Sequence, residues 1–230
     1  DECTDLTVAR TKLAWWRTEI AALYAGQAHH PVAQALMPVV AAFKLPQGSV
    51  DEIIDGMEMD LTQRRYANFA ALKLYCHRVA GVVGLLSAEI FGYSDPHTLE
   101  YAENLGIAFQ LTNIIRDVGE DAHRDRVYLP VDELARFNVP VADLMHGRVT
   151  DEFRQLMEFQ TDRALEYYRA AFAALPAVDR KAQRPGLVMA AIYQTLLNEI
   201  RADGMRVLSQ RISLTPLRKL WIAWRTWVKN

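Results

Sequence analysis

Leu105-Gly106-Ile107-Ala108-Phe109-Gln110-Leu111-Thr112-Asn113-Ile114-Ile115-Arg116-Asp117-Val118-Gly119-Glu120-Asp121 runs without a proline, and Leu111, Ile115 and Val118 recur at helical spacing. Gly106, Gln110, Asn113, Asp117 and Asp121 form a second stripe at i, i+4, i+7, i+11 and i+15, so two amides and two carboxylates face one way. Asp117 and Asp121 repel as an i,i+4 pair, which costs an isolated helix about 0.2–0.5 kcal/mol. Oxygen ligands on successive turns suit Mg²⁺, which takes one or two protein carboxylates, waters and substrate phosphates. The bland alternative is a solvated face on which Arg116 and Glu120 form an ordinary surface pair. Against it, Gln110 and Asn113 carry the stripe into the apolar part of the helix, where buried amides need partners.

The chain has 230 residues, 51% hydrophobic and 10% aromatic, which suits one substantial core and not a disordered segment. Its formal net charge of −2 gives no reason to expect nucleic acid as a partner. Cys3 and Cys76 are too few for a disulfide framework or a Cys-rich zinc site, so a reducing, cytoplasmic setting is expected. The opening Asp1-Glu2-Cys3-Thr4-Asp5 is polar and acidic, unlike a signal peptide. The uncharged run over 27–43 holds Pro31, Pro38 and two histidines, which argues against a membrane span.

Start and stop signals divide the chain into helices. A first helix is predicted over 7–24 with Asp5 as its cap and Gly26 as its stop. A second starts at Pro31, with Pro38 as a kink and Pro46 as the end. Ser49-Val50-Asp51-Glu52 has capping-box spacing and is expected to open a third. Residues 69–91 read as one apolar helix, whose Ala80, Gly81, Gly84 and Ala88 allow neighbours to approach closely. The stripe-bearing helix runs from Ser94 or Asp95 with Pro96 to about Ala122. After the polar loop over 124–130 come a short helix near Val131–Arg136 and long helices over 150–175 and 185–208. Thr215-Pro216 opens the last. No stretch shows sustained β alternation or an internal repeat, so the expected fold is all-α: one domain of about eight to ten helices.

An inward Asn-Asp-Asp stripe in such a bundle points to an apolar pocket with a metal–diphosphate site at its mouth. Cationic side chains are needed for the diphosphate oxygens, and Arg116, beside the stripe, and Arg126, just beyond it, are the candidates. Ionising an allylic diphosphate leaves a carbocation, which calls for a dry pocket lined by aromatic or aliphatic side chains.

Two long patterns then meet a family. Tyr75-Cys76-His77-Arg78-Val79-Ala80-Gly81-Val82-Val83-Gly84 resembles the first signature of the squalene and phytoene synthases. The segment from Leu105 to Asp121, continuing to Arg126-Val127-Tyr128-Leu129-Pro130, resembles the second. The resemblance extends over the chain, including Asp55-Gly56-Met57-Glu58-Met59-Asp60 and Arg211-Ile212-Ser213-Leu214-Thr215-Pro216. Within the family the chain looks most like the bacterial presqualene diphosphate synthases of hopanoid pathways.

The resemblance implies an isoprenoid-synthase helical bundle around an apolar central cavity. It implies Mg²⁺ held by Asn113, Asp117 and Asp121, with Gln110 and Arg116 near the diphosphate. Tyr75 then sits beside the reacting centre, linked to the cyclopropyl-forming step and proton removal, and Tyr193 is a second pocket tyrosine. The implied reaction joins two farnesyl diphosphates head to head to give presqualene diphosphate; a phytoene synthase using geranylgeranyl diphosphate is the near alternative. A class I terpene cyclase shares the metal-triad spacing but not the Tyr75–Gly84 signature. A non-catalytic scaffold relative would have lost the metal residues. One departure concerns the family's first Asp-rich motif, of which Asp1 reads as the last carboxylate, so the chain is expected to be a fragment lacking roughly two helices.

Other residues have plain readings. Asp55, Glu58 and Asp60 read as a solvated turn, His29-His30 as a polar loop, and Trp15-Trp16 as core. His77 and Arg78 face a neighbouring helix. In the last helix Trp221, Trp224 and Trp227 recur among Arg218, Lys219, Arg225 and Lys229, which fits either a membrane surface or docking on the body of the protein.

Overall fold

The computed structural model describes residues 5–229. Eleven α-helices account for most of them, and no strand forms among the described residues beyond an isolated bridge between Arg65 and Val127. The first three are α1 (Leu6–Tyr24), α2 (Pro31–Phe43) and α3 (Gln47–Thr62). Asp5 caps α1 by accepting from the amides of Thr7 and Val8, and His30 caps α2. The expected capping box does not form: α3 opens at Gln47 behind Pro46, whose fixed extended geometry already starts the helix two residues before Ser49. A small core of Ile20, Leu23, Ala33 and Ile54 joins these three helices. Trp16 packs on it, whereas Trp15 lies exposed at its edge, against the core placement expected for both.

The apolar segment Phe69–Phe91 is not one uniform helix. It comprises α4 (Phe69–Cys76), a π-helical turn (His77–Gly81) and α5 (Val82–Phe91). By length and composition it could cross a membrane, but it packs against α6 (His97–His123). The crossing is tight. A Cβ on Gly84 would stand 2.3 Å from the carbonyl oxygen of Ala102, and one on Gly106 would stand 2.3 Å from that of Ala80. Only glycine lets the two backbones meet there.

Helix α6 has 27 residues, about 40 Å at the usual rise, and forms the axis of the bundle. Its Leu105, Ile107, Ala108, Leu111, Ile115 and Val118 are buried. The short helices α7 (Val131–Arg136) and α8 (Val141–Met145) follow, then α9 (Asp151–Ala174), capped by Thr150 and packed along α6. Asp179, at a 3₁₀ turn after α9, accepts from the amides of Ser94 and Asp95 and from the Thr98 hydroxyl, fixing the start of α6. The remaining helices are α10 (Arg184–Ala202) and α11 (Pro216–Lys229), which lies on α10. Helix α10 stops short of the expected Leu208 because Gly204 and Met205 turn the chain with positive φ.

Gly106→Val drives a branched side chain into the Ala80 carbonyl and is expected to cost about 1–3 kcal/mol or more in urea unfolding. Gly48→Ala, which meets nothing within 4 Å, is the control and should be neutral or slightly stabilising.

Candidate active site

The helix crossing sets out the site. An apolar cavity of about 400 Å³ lies between the π turn, α5, α6 and α10. Val79, Val83, Phe91, Leu105, Phe109 and Met189 are among its walls, and Gln110 and Asn113 are its polar margin. Thus the stripe read from the sequence does turn from apolar wall to polar mouth along one helix. Asn113 donates to Gln110 at 3.4 Å, while its Oδ1 is buried with no hydrogen-bond partner among the described residues.

One turn on, the Asp117 carboxylate is gripped by two arginines. Arg116 donates to both of its oxygens, at 2.7 and 2.5 Å, and Arg211 donates to Oδ1 at 3.1 Å. Glu120 faces Arg211 at 3.7 Å, so the Arg116–Glu120 surface pair is not what forms. Arg116, Arg211 and Lys219 line a second cavity of about 300 Å³ with Tyr193 and Ser213. The Tyr193 ring rests 4.8 Å from that of Phe109, which borders the apolar cavity. A cationic cleft and an apolar cavity therefore adjoin the polar half of α6 on either side of Phe109.

Asp121 is half-buried, and its carboxyl is pushed up to about 6, first by burial and then by the charge of Asp117; Arg124 and Arg126 oppose this. An Oδ1 without a donor and a buried carboxyl one turn from a second carboxylate are what a divalent cation would satisfy, so Asn113, Asp117 and Asp121 fit as Mg²⁺ ligands. Among the described residues no three His, Cys, Asp or Glu side chains gather into a complete metal cluster. The further carboxylate expected at Asp1 lies outside the described residues.

Opposite this stripe is a group that the sequence reading left out. Helix α3 crosses the π turn at Gly56, where a Cβ would meet Val79 Cγ1 at 2.8 Å. One turn beyond Gly56 is Asp60, and one turn before Val79 is Tyr75. They meet: the Tyr75 hydroxyl donates to Asp60 Oδ2 at 3.2 Å, and the Tyr128 hydroxyl donates to Oδ1 at 2.8 Å. Asp60 is therefore not a solvated turn residue. Asp55 and Glu58 do face outward, where Arg17 pairs with both, and His77 faces Glu52 and Glu103.

Tyr66, Tyr75 and Tyr128 pack as a cluster with ring centroids 5.2–5.8 Å apart. Burial raises all three hydroxyls, Tyr128 to about 12, and Asp60 adds to the effect. Tyr75 is thus a proton-bearing donor and not a tyrosinate. Arg126 belongs to this side as well. It donates to the Asp60 carbonyl at 3.2 Å and does not line the cleft of Arg116; instead it borders a small cavity with Asp121 and Tyr128. Asp60, Tyr128, Arg211 and Lys219 were absent from the sequence-derived site. Tyr128 and Arg211 fell inside segments resembling the family, but nothing in their spacing tied them to α6.

The sequence profile of the squalene/phytoene synthase family matches residues 1–218. The chain belongs to the squalene/phytoene synthase family. It is 38% identical to the phytoene synthase of Arthrospira platensis over 218 residues, 89% of this chain and 71% of that protein. With the 15-cis-phytoene synthase of Synechocystis sp. it shares 37% identity over 243 residues, covering 97% and 72%. Among solved structures, a dehydrosqualene synthase in complex with ligand superposes with a TM-score of 0.87 at 25% identity, covering 100% of this chain and 81% of that one. The squalene synthase HpnC of Alicyclobacillus acidocaldarius gives 0.78 at 25% identity, covering 89% and 77%. The helical fold is that of these synthases, and members of the family transfer prenyl groups.

Asp121→Asn removes a charge that burial disfavours. In the metal-free protein it is expected to keep or raise the thermal midpoint, while the same variant loses prenyl-diphosphate turnover.

Proposed function

We propose that the protein is a Mg²⁺-dependent prenyltransferase that condenses two molecules of geranylgeranyl diphosphate head to head, towards phytoene. The observation that carries prenyl transfer is the stripe in which Asn113 borders an apolar cavity and, one turn on, Asp117 is held by Arg116 and Arg211 of a cationic cleft, with Asp121 a further turn along. The choice of the C20 substrate over the C15 substrate rests on the phytoene synthases, 36–38% identical over most of the chain. The farnesyl reading, with presqualene diphosphate as product, is the second. It draws on the fold likeness to squalene-type synthases, at 25% identity.

Bound between Asn113, Asp117 and Asp121, Mg²⁺ would supply the positive charge that makes diphosphate a leaving group. Arg116 and Arg211, now paired with Asp117, have planar forks suited to diphosphate oxygens, and Lys219 adds a third cation in the same cleft. When the allylic C–O bond breaks, its electron pair leaves with the diphosphate, and the cation stays among Val79, Val83, Leu105 and Phe109, away from water. The double bond of the second prenyl chain attacks that cation, and loss of a proton closes a cyclopropane. Tyr75 can accept that proton on oxygen only by passing its own to Asp60 Oδ2, so the Tyr75–Asp60 pair acts as a unit.

The test is to incubate the protein, with any preceding segment of its gene product, with Mg²⁺ and either geranylgeranyl or farnesyl diphosphate, without NADPH, and identify products by mass spectrometry. Phytoene is expected. Presqualene diphosphate would move the reading to the C15 substrate, and a cyclic monomeric terpene would overturn head-to-head condensation. Asp117→Ala should lower turnover on the order of 100-fold or more with circular dichroism unchanged.

A further inference from the structure

Helix α11 turns its apolar side the wrong way for a soluble bundle. Leu217, Leu220, Trp221, Trp224, Trp227 and Val228 are all exposed, Leu217 by 80% and Trp224 by 58%. At 100° per residue they fall on one arc of about 120°. The side facing the protein holds Ile222, which packs on the main core, with Ala223 and Thr226 beside it.

Along one border of the exposed arc run Arg218, Arg225 and Lys229. Arg218 is paired with Glu199 at 2.5 Å. Arg225 and Lys229 make no ion pair among the described residues, and both line a cleft of about 340 Å³ between α10 and α11, with Trp221, Thr195 and Thr226. A tryptophan-bearing apolar face bordered by a basic, hydroxyl-lined cleft matches the headgroup level of an anionic bilayer. The rings can sit among acyl carbonyls while the cations meet phosphates.

The placement of α11 adds a consequence. The Arg184 guanidinium lies 5.5 Å from the Trp227 ring centre, and its neighbours Gln183 and Pro185 line the apolar cavity. Phe91 and Met189, also on that cavity, are partly exposed.

We infer that α11 is an interfacial helix that seats the protein on an anionic phospholipid surface, with the rim of the apolar cavity beside the membrane. The occupant is a bilayer and not a second copy of the chain, because a self-complementary dimer would bring Arg225 and Lys229 of two chains to one interface with no acidic residue on α11 to answer them. Docking does not depend on which prenyl diphosphate the site uses, so it can stand or fall apart from the activity.

The test is flotation with vesicles of phosphatidylcholine alone and with phosphatidylglycerol, at protein concentrations where sedimentation gives the oligomeric state. The protein should float with phosphatidylglycerol vesicles, with a blue shift of tryptophan emission, and bind neutral vesicles roughly tenfold or more weakly. Leu220→Ser with Trp224→Ser should abolish flotation. Arg225→Gln with Lys229→Gln should erase the preference for phosphatidylglycerol. All four side chains are exposed, so each variant should keep the parent thermal midpoint; should the double apolar variant unfold, Trp224→Ser alone serves. Failure of the intact protein to float on either vesicle would overturn the inference, as would undiminished flotation of the apolar variant. A dimer that becomes monomeric in that variant would assign the face to a second copy instead. Soluble glycerol phosphate should not compete at concentrations matching the vesicle headgroups; full competition would reduce the site to phosphate binding.

Discussion

Helix α6 is buried along most of its length, with Glu100 and Glu120 at its surface, and burial disfavours an ionised carboxylate. Helix α6 nevertheless carries Asp117 and Asp121 on the stripe that leads out of the apolar cavity. Asp117 is neutralised by Arg116 and Arg211, while Asp121 is left with a carboxyl raised from 3.8 to about 6. That rise corresponds to about 3 kcal/mol against its ionised form. The protein therefore holds two carboxylates one turn apart near the end of a greasy cavity, one of them disfavoured as an anion mainly by burial, and the surrounding architecture keeps them there. Tight crossings at Gly84 and Gly106 set α5 and the π turn against α6, Asp179 pins its start, and the loop after it brings Arg126 across to α3. A divalent cation would answer both carboxylates, so the burial that disfavours Asp121 as an anion is also what would favour a bound cation.

The two sides of this arrangement differ in chemistry. Towards α10 and α11 the walls are cationic, with Arg116, Arg211 and Lys219 around Tyr193, suited to a group that leaves as an anion. Towards α3 they are hydroxylic, with Tyr75 and Tyr128 donating to Asp60. The apolar cavity beside them offers hydrocarbon and aromatic surface. In the proposed reaction the Tyr75–Asp60 pair would take the proton away from the cleft that would hold the diphosphate, separating the group that ends the cation from the groups that create it. The outward apolar face of α11 would extend the same division to the surface, since a protein with the proposed activity would gain by lying where its half-apolar substrate and apolar product dissolve.

Much of this was legible in the sequence, because helical periodicity and small-residue spacing are local properties. The stripe from Gly106 to Asp121 lies on one helix, so its spacing alone put Gln110 and Asn113 at a pocket, and Gly84 announced a close crossing before its partner was known. Asp60 was not legible. Its neighbours Asp55 and Glu58 are ordinary surface acids, and only the crossing of α3 over the π turn at Gly56 separates its fate from theirs. The contact of Arg126 with the Asp60 carbonyl was hidden for the same reason: proximity in sequence to Asp121 says nothing about which other helix the chain meets after α6. The capping box at Ser49 failed because Pro46 begins α3 earlier, a case of backbone geometry overriding side-chain pattern.

The most direct test of the central claim is a crystal structure of the protein with Mn²⁺ and a non-ionisable prenyl thiodiphosphate, read by anomalous scattering. The account predicts metal peaks at inner-sphere distance, about 2.0–2.2 Å, from oxygens of Asn113, Asp117 and Asp121. The diphosphate should have drawn Arg116 and Arg211 from Asp117, and the prenyl tail should lie along Val79, Leu105 and Phe109. Metal bound elsewhere, with the Arg116–Asp117–Arg211 grip intact beside bound diphosphate, would contradict it.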